Sequence, residues 1–389
     1  MKRLSRQLFV FPPVMVQALY TTALGFMVLP MQEKFGLTSA QAGLFSTMQS
    51  IGSGVALVLC FCIFSAMNRS RVFLVAAVLF GGGLIALGFS NDVIIVYVLL
   101  AIIGLLTGTS TTISNALMVD GESSRKSSFY IGILHGIWAG TSALGPFFVL
   151  LFKSDYTATF VWLGALTLAS LLIFTFGYRD RLKMPMWEDK SKVGTIGKLI
   201  RTFRYKGMVV ILIIGFLTTI VRTGFTFFIR SYVSILGRDP LDGAYVLGVM
   251  LVGMMIGRMV YGAVAHKTSA NKTLMLANIV AAAAFSVMLL AQNMVLIVVM
   301  MAVGAICMSI NIPVMIAKAY KIIPNDATSA TSFVFFGIVF GSVAGPPFIG
   351  WVGDLVDMRV ALFVCVAMLV PVIVLAGKKL RRERLSKNS

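Results

Sequence analysis

Apolar runs of eighteen to twenty-nine residues recur along almost the whole chain, and short polar stretches separate them. They cover residues 8–32, 41–66, 72–89, 94–118, 128–152, 158–178, 207–235, 243–265, 272–292, 294–318, 327–351 and 360–378. The runs are apolar throughout, with neither the strict alternation of a half-buried strand nor the single stripe of a surface helix. A helix crossing a hydrocarbon core of roughly 30 Å needs about 20 mostly apolar residues. In hydrocarbon each backbone amide must find its partner within the protein, and a helix supplies one for every residue. The pattern therefore predicts an all-α membrane protein with twelve spanning helices. A closed β-barrel is excluded, because its strands alternate over about ten residues. The first run is longer than a signal-peptide core and lacks a cleavage-like ending, so it reads as a retained helix.

The widest polar break, residues 179–206, carries nine basic residues and includes Trp187, Glu188, Asp189 and Lys190. It divides the chain into six spans over 1–178, a linker over 179–206, and six spans with a basic tail over 207–389. The halves echo each other at an offset near 200 residues. Gly145-Pro146 in the fifth span matches Gly345-Pro346 in the eleventh, and Gly25-Phe26 in the first matches Gly224-Phe225 in the seventh. Duplicated halves of this kind serve alternating access around a central site.

Composition agrees with the pattern. Of 389 residues, 58% are hydrophobic and 12% are charged, against about 25% charged in a soluble domain. With the N-terminus in the cytoplasm, 26 of the 33 Lys+Arg fall in the termini and loops of that side, and four in the outer loops. This is the positive-inside asymmetry, and it accounts for the +19 net charge. The basic balance is a topology signal, with some attraction to anionic lipid heads, and nucleic acid is not an expected partner. Both termini are expected in the cytoplasm, with a bacterial inner membrane suited to the loop composition. The four cysteines (Cys60, Cys62, Cys307, Cys365) all lie inside spans and read as small packing residues. There is no nucleotide loop, zinc pattern or nucleophile elbow, so no enzyme, cofactor or metal site is expected.

With these motifs in place, the chain resembles the major facilitator superfamily over its whole length. The resemblance implies two six-helix bundles around a central cavity, with spans 1, 4, 7 and 10 lining it, and a chain that works as a monomer. Local patterns are similar to the fucose-permease-like branch: Asn115, His135-Gly136 with Gly140 and Gly145-Pro146, Gly257-Arg258, Asn311-Ile312-Pro313, and Gly341 with Gly345-Pro346 and Asp354. The superfamily's loop motif Gly-x-x-x-Asp-Arg reads Phe64-Ser65-Ala66-Met67-Asn68-Arg69 here, so Asn68 stands where the aspartate would be. In the matching loop of the second half, His266 takes that place. The departure implies an inner gate held less by charge.

The remaining three basic residues, Arg222, Arg230 and Arg258, lie within spans. A charge near the bilayer centre costs several kcal/mol unless something offsets it. All 14 acids fall in or beside loops. Arg222 sits about 14 residues into the seventh span, some 20 Å of rise and close to the midplane. Its planar fork suits a carboxylate, nitrate-like, phosphate or sulfonate group, so a small anionic solute is the expected substrate. The competing reading is a structural arginine bonded to the carbonyls of a broken helix. Arg230 is expected to snorkel to the surface, with an outer-vestibule attraction for anions as the alternative; Arg258 reads as structural, with substrate contact as the alternative, and is grouped with Asn68 and Arg69 as a gating residue.

Uncharged groups on the cavity spans complete the expected site: Gln17, Tyr20 and Thr21; Thr111, Ser114 and Asn115; Thr219 and Thr223; Ser309 and Asn311. Pro313 would free a backbone carbonyl beside the last pair. His135 could exchange a proton near neutral pH and is the candidate for proton coupling, against a neutral histidine bonded to a neighbouring helix. Three functions remain open: a secondary transporter of an anion with Arg222 as counter-ion, a transporter of neutral sugars, polyols or drugs, and a receptor or scaffold without transport.

Overall fold

The computed structural model describes residues 7–64, 67–119, 124–186, 204, 205, 207–264, 269–323 and 327–388. Its helices are α1 (Phe11–Phe35), α2 (Ser39–Cys62), α3 (Arg69–Phe89), α4 (Val93–Val119), α5 (Ser124–Ser142), α6 (Gly145–Leu151) and α7 (Tyr156–Leu182). They continue with α8 (Met208–Ile235), α9 (Pro240–Val264), α10 (Ala270–Leu290), α11 (Met294–Ser309), α12 (Asn311–Ile322), α13 (Ala327–Leu355), α14 (Met358–Ala367) and α15 (Leu369–Asn388). Twelve spans are long and apolar enough to cross a membrane, as the hydrophobic pattern predicts. Three of them are each two helices end to end. α7 runs to Leu182, a turn into the stretch read as linker. Residues 187–203, with Trp187 and its charged neighbours, lie outside the described residues, as does His266.

Proline accounts for the interrupted spans. Pro146, Pro313 and Pro371 have no N–H for the carbonyls of Ser142, Ser309 and Ala367, four residues back. The ladder lapses there, between α5 and α6, α11 and α12, and α14 and α15. α13 passes through Pro346 and Pro347 without a break.

The acids earn their positions as caps. Asp155, Asp239 and Asp357 accept from Ala158, Leu241 and Val360 N–H at 2.6, 2.7 and 2.8 Å. Asp92 accepts from Ile94 N–H at 2.7 Å. Each carboxylate meets N–H groups that the first turn leaves without helical partners, at the positive end of the helix dipole. Asp354 does the same across elements: its two oxygens take the N–H groups of Ser39 and Ala40, both at 2.8 Å, in the first turn of α2.

Contacts sort the chain into two compact units, Met1–Gly36 with Leu44–Lys198, and Leu37–Gly43 with Leu199–Ser389. In unit 1, α3 packs along α7, and α1 packs against α5, α6 and α7. Its core includes Val10, Phe73, Met118, Phe174 and Tyr178, with the Phe73 and Phe174 rings 4.8 Å apart. In unit 2, α8 packs along α13, and α9 and α10 pack on α11, around Ile211, Ile214, Leu274, Met315, Phe333 and Val372. The outward faces are apolar as well. Leu172 and Phe176, one turn apart on α7, are each 73% exposed. A soluble monomer seldom presents such faces over most of its helices; lipid accepts them.

Candidate functional site

Unit 2 holds a small open pocket lined by Thr218, Thr219, Arg222, Met254, Met308, Ser309, Asn311 and Ile312. α8 supplies the first three, α9 supplies Met254, and the junction of α11 with α12 supplies the rest. On α8, residues 218, 219 and 222 fall on one face by the three- and four-residue spacing of a helix. Arg222 is half-buried. Its guanidinium makes no hydrogen bond or ion pair among the described residues. α8 is unbroken from Met208 to Ile235, so it offers no freed carbonyl of its own to that fork.

The hydroxyls around Arg222 are anchored. Thr218 donates to the Ile214 carbonyl at 2.8 Å, Thr223 to the Thr219 carbonyl at 2.8 Å, and Ser309 to the Ile306 carbonyl at 2.9 Å. Each keeps lone pairs but has committed its proton. Asn311 is held more tightly. Its amide exchanges two hydrogen bonds with that of Asn278 on α10, at 2.8 and 3.0 Å. Both residues are buried. The pair fixes the start of α12, immediately after the break that brings Ser309 and Asn311 to the pocket wall. Asn278 was absent from the expected site. A lone amide in the middle of an apolar span was its available signal.

Several of the unit 1 candidates bond within their own unit. Gln17 is buried on α1, and its amide donates to the Thr107 carbonyl at 2.7 Å and to Thr111 Oγ1 at 3.2 Å. Asn115 donates back to the Thr111 carbonyl at 2.9 Å. Tyr20 is fully buried, set edge-on to Phe80 at 5.2 Å between ring centres. Its hydroxyl has no hydrogen-bond partner among the described residues. Thr21 donates to the Gln17 carbonyl at 2.9 Å. His135 is exposed on α5.

The gating residues are placed by close packing and capping. A Cβ on Gly145 would collide with Thr22 Oγ1 and the Leu19 carbonyl of α1, and one on Gly345 would press on Ile220 and Thr223 of α8. Pro146 and Pro346 are buried beside them. Asn68 is the N-cap of α3. Its Oδ1 accepts from Ser70 and Arg71 N–H at 3.1 and 3.3 Å, and its Nδ2 donates to the Arg181 carbonyl at the end of α7 at 2.9 Å. Arg71 Nε adds a bond to the Leu182 carbonyl at 2.7 Å. Arg69 is half-buried at the start of α3, and Arg258 is half-buried on α9. Arg230 is buried two turns beyond Arg222.

The family model described as Major Facilitator Superfamily matches residues 14–291 and 211–388. Among solved structures, the fold is similar to a mutant of the nucleoside transporter NupG, with a TM-score of 0.78 at 12% identity, covering 97% of this chain and 99% of that one. It is also similar to a bacterial homolog of the human lysosomal transporter Spinster in its inward-facing, unoccupied conformation. That match has a TM-score of 0.75 at 14% identity and covers 97% of each chain. No curated protein matches the chain by sequence.

Proposed function

The chain belongs to the Major Facilitator Superfamily, and on that premise we propose that it is a secondary transporter that moves a small anionic solute by alternating access, with Arg222 as the counter-ion. One observation carries this reading: a guanidinium in a pocket at mid-span with no protein partner among the described residues. Of the described acids of the same unit, Asp239 and Asp357 are caps and Asp354 is held on α2, while Asp242 sits in the first turn of α9, far from mid-span. An uncompensated arginine at the centre of a spanning helix costs about 2.5–3.5 kcal/mol on insertion scales. A carboxylate or similar group entering the pocket offsets that cost with charge-assisted hydrogen bonds. Coupling runs through a proton carried by His135 or by the solute, or the protein exchanges one anion for another. The charge asymmetry of the loops supports cytoplasmic termini, and the loop composition suits a bacterial inner membrane.

A second reading is a neutral hydroxylated solute, with Arg222 structural. It draws on the lone pairs of Thr218, Thr219 and Ser309 at the pocket wall, and on the fold shared with a protein named as a nucleoside transporter. Thermal shift of the purified protein against anions, sugars and nucleosides separates the two. An anion is expected to raise Tm, and Arg222→Ala is expected to weaken it by about 10- to 100-fold, the span of one charge-assisted hydrogen bond. An anion response unchanged in Arg222→Ala, or stabilisation by neutral solutes alone, rejects the counter-ion.

A further inference from the structure

Arg222 has a second cation beside it. Arg258 lies on α9, one turn beyond Met254, and residues four apart share a helix face. Met254 lines the Arg222 pocket. The residue before Arg258 is Gly257, where a Cβ would collide with the Ile306 carbonyl and with Ser309 Oγ. α9 is therefore pressed against α11 at the point where Ser309 enters the pocket wall, and the Arg258 stem leaves from that contact. Its Nε is buried without a hydrogen-bond partner among the described residues. Arg258 thus leaves α9 at the same packing contact that carries Met254 and Ser309 to the Arg222 pocket.

The helices also give the spacing. α8 and α9 are consecutive and packed together. Counting back from the end of α8 and forward from the start of α9, Arg258 lies roughly 8 Å further along the bundle axis than Arg222, at 1.5 Å per residue. Long arginine side chains close much of such an offset. Asp242, in the first turn of α9, lies at its opposite end, roughly 24 Å of rise from Arg258, and Asp239 precedes the helix.

Two half-buried cations this near to one another face both partial desolvation and mutual repulsion. Neither can be relieved by losing a proton, because a guanidinium stays charged in proteins. A monoanion neutralises one of the pair. We propose that the transported solute carries two negative charges, one held by Arg222 and the other by Arg258. This rests on the reading of Arg222 as counter-ion, and adds to it the charge of the solute and the role of Arg258.

The test is a thermal-shift titration with matched probes: short dicarboxylates against their monomethyl esters, and sulfate against nitrate. In wild type, a dianion is expected to stabilise at about a tenfold lower concentration than its matched monoanion, or better, the margin of one charge-assisted contact. Arg258→Gln is expected to erase that margin, whereas Arg258→Lys retains part of it. Arg222→Gln is expected to weaken both. Equal response to mono- and dianions in wild type, with Arg222 still required, overturns the dianion proposal and leaves the anion reading standing. So does a margin that survives Arg258→Gln. Response to neither overturns both. The wild-type comparison needs no variant to fold, so a poorly folding Arg258→Gln leaves the proposal open to refutation.

Discussion

α1 in unit 1 and α8 in unit 2 occupy matching places in the duplicated chain, and they handle polar groups in opposite ways. Each receives a Gly-Pro corner, Gly145-Pro146 on α1 and Gly345-Pro346 on α8. The threonine under each glycine, Thr22 and Thr223, gives a packing register shifted by two residues from the Gly25–Gly224 sequence echo, and in it Gln17 aligns with Thr218 and Thr21 with Arg222. In unit 1 the polar groups of this register are bonded within the unit, Gln17 to α4 and Thr21 to its own helix. In unit 2 the same register carries a guanidinium bonded to nothing among the described residues. The frame is shared, but the unmet polar demand at these positions is concentrated in one half. A duplicated scaffold thus carries a one-sided candidate site on similar corner packing.

The sharpest way to break the comparison is the Asn278–Asn311 pair, a device of unit 2. A buried amide that loses its partner retains the desolvation penalty of an unmet polar group, about 1–3 kcal/mol. Asn278→Leu is expected to cost that much stability, seen as a lower Tm in detergent, and to release the start of α12, weakening anion binding without touching the pocket directly. The double variant Asn278→Leu with Asn311→Leu removes both partners and should recover most of the stability but not the binding. If the single variant leaves Tm and binding unchanged, the pair does not hold the pocket wall.

Much of this was legible in the chain, for reasons that differ by feature. The spans were legible because hydrocarbon leaves no other home for such runs. Arg222 was legible because a charge in an apolar run is conspicuous. Pro313 announced the break beside the pocket, yet Pro346 and Pro347 stand in unbroken α13, so a proline alone does not decide whether a helix parts. The caps were half legible. The acids fell in or beside loops as expected, but that Asp92, Asp155, Asp239 and Asp357 serve helix starts depends on which residue lands at the N-cap. Hidden were the partners across helices. Nothing in the spacing tells Asn278 that it faces Asn311, or Gln17 that it reaches Thr107, because an apolar-all-round helix has no pattern to mark which face meets which neighbour.

The next test compares the two threonines under the Gly-Pro corners. Pro146 leaves the Ser142 carbonyl without its helical donor, and Thr22 Oγ1 supplies the bond from α1. Thr223 turns back to its own helix at the Thr219 carbonyl. Thr22→Val should therefore expose an unmet carbonyl at the α5–α6 break and cost about 1–2 kcal/mol. Thr223→Val removes only a local bond that competes with the helix, and is expected to stay within about 0.5 kcal/mol. Chemical-denaturant or thermal unfolding of both variants measures the difference. Equal losses would mean that the two corners are held alike and that the asymmetry is confined to Arg222.

The smallest expected effect concerns Asn68. The superfamily pattern has an aspartate at this position, and its replacement implied a gate held less by charge. The structure gives the amide a bond that a carboxylate cannot make. Oδ1 caps α3, and Nδ2 donates to the Arg181 carbonyl. Asn and Asp are nearly equal as N-caps, so Asn68→Asp keeps the cap and tests the donor alone. It loses one hydrogen bond and sets a negative charge against the C-terminal carbonyls of α7, the negative end of that helix dipole. A loss of about 1 kcal/mol is expected, read as a lower Tm. Asn68→Ser, which caps but does not reach, should lose a similar amount without the charge. If Asn68→Asp instead stabilises the protein, the aspartate has found a cation such as Arg71 or Arg181, and the tie between α3 and α7 is better made by charge than by the amide.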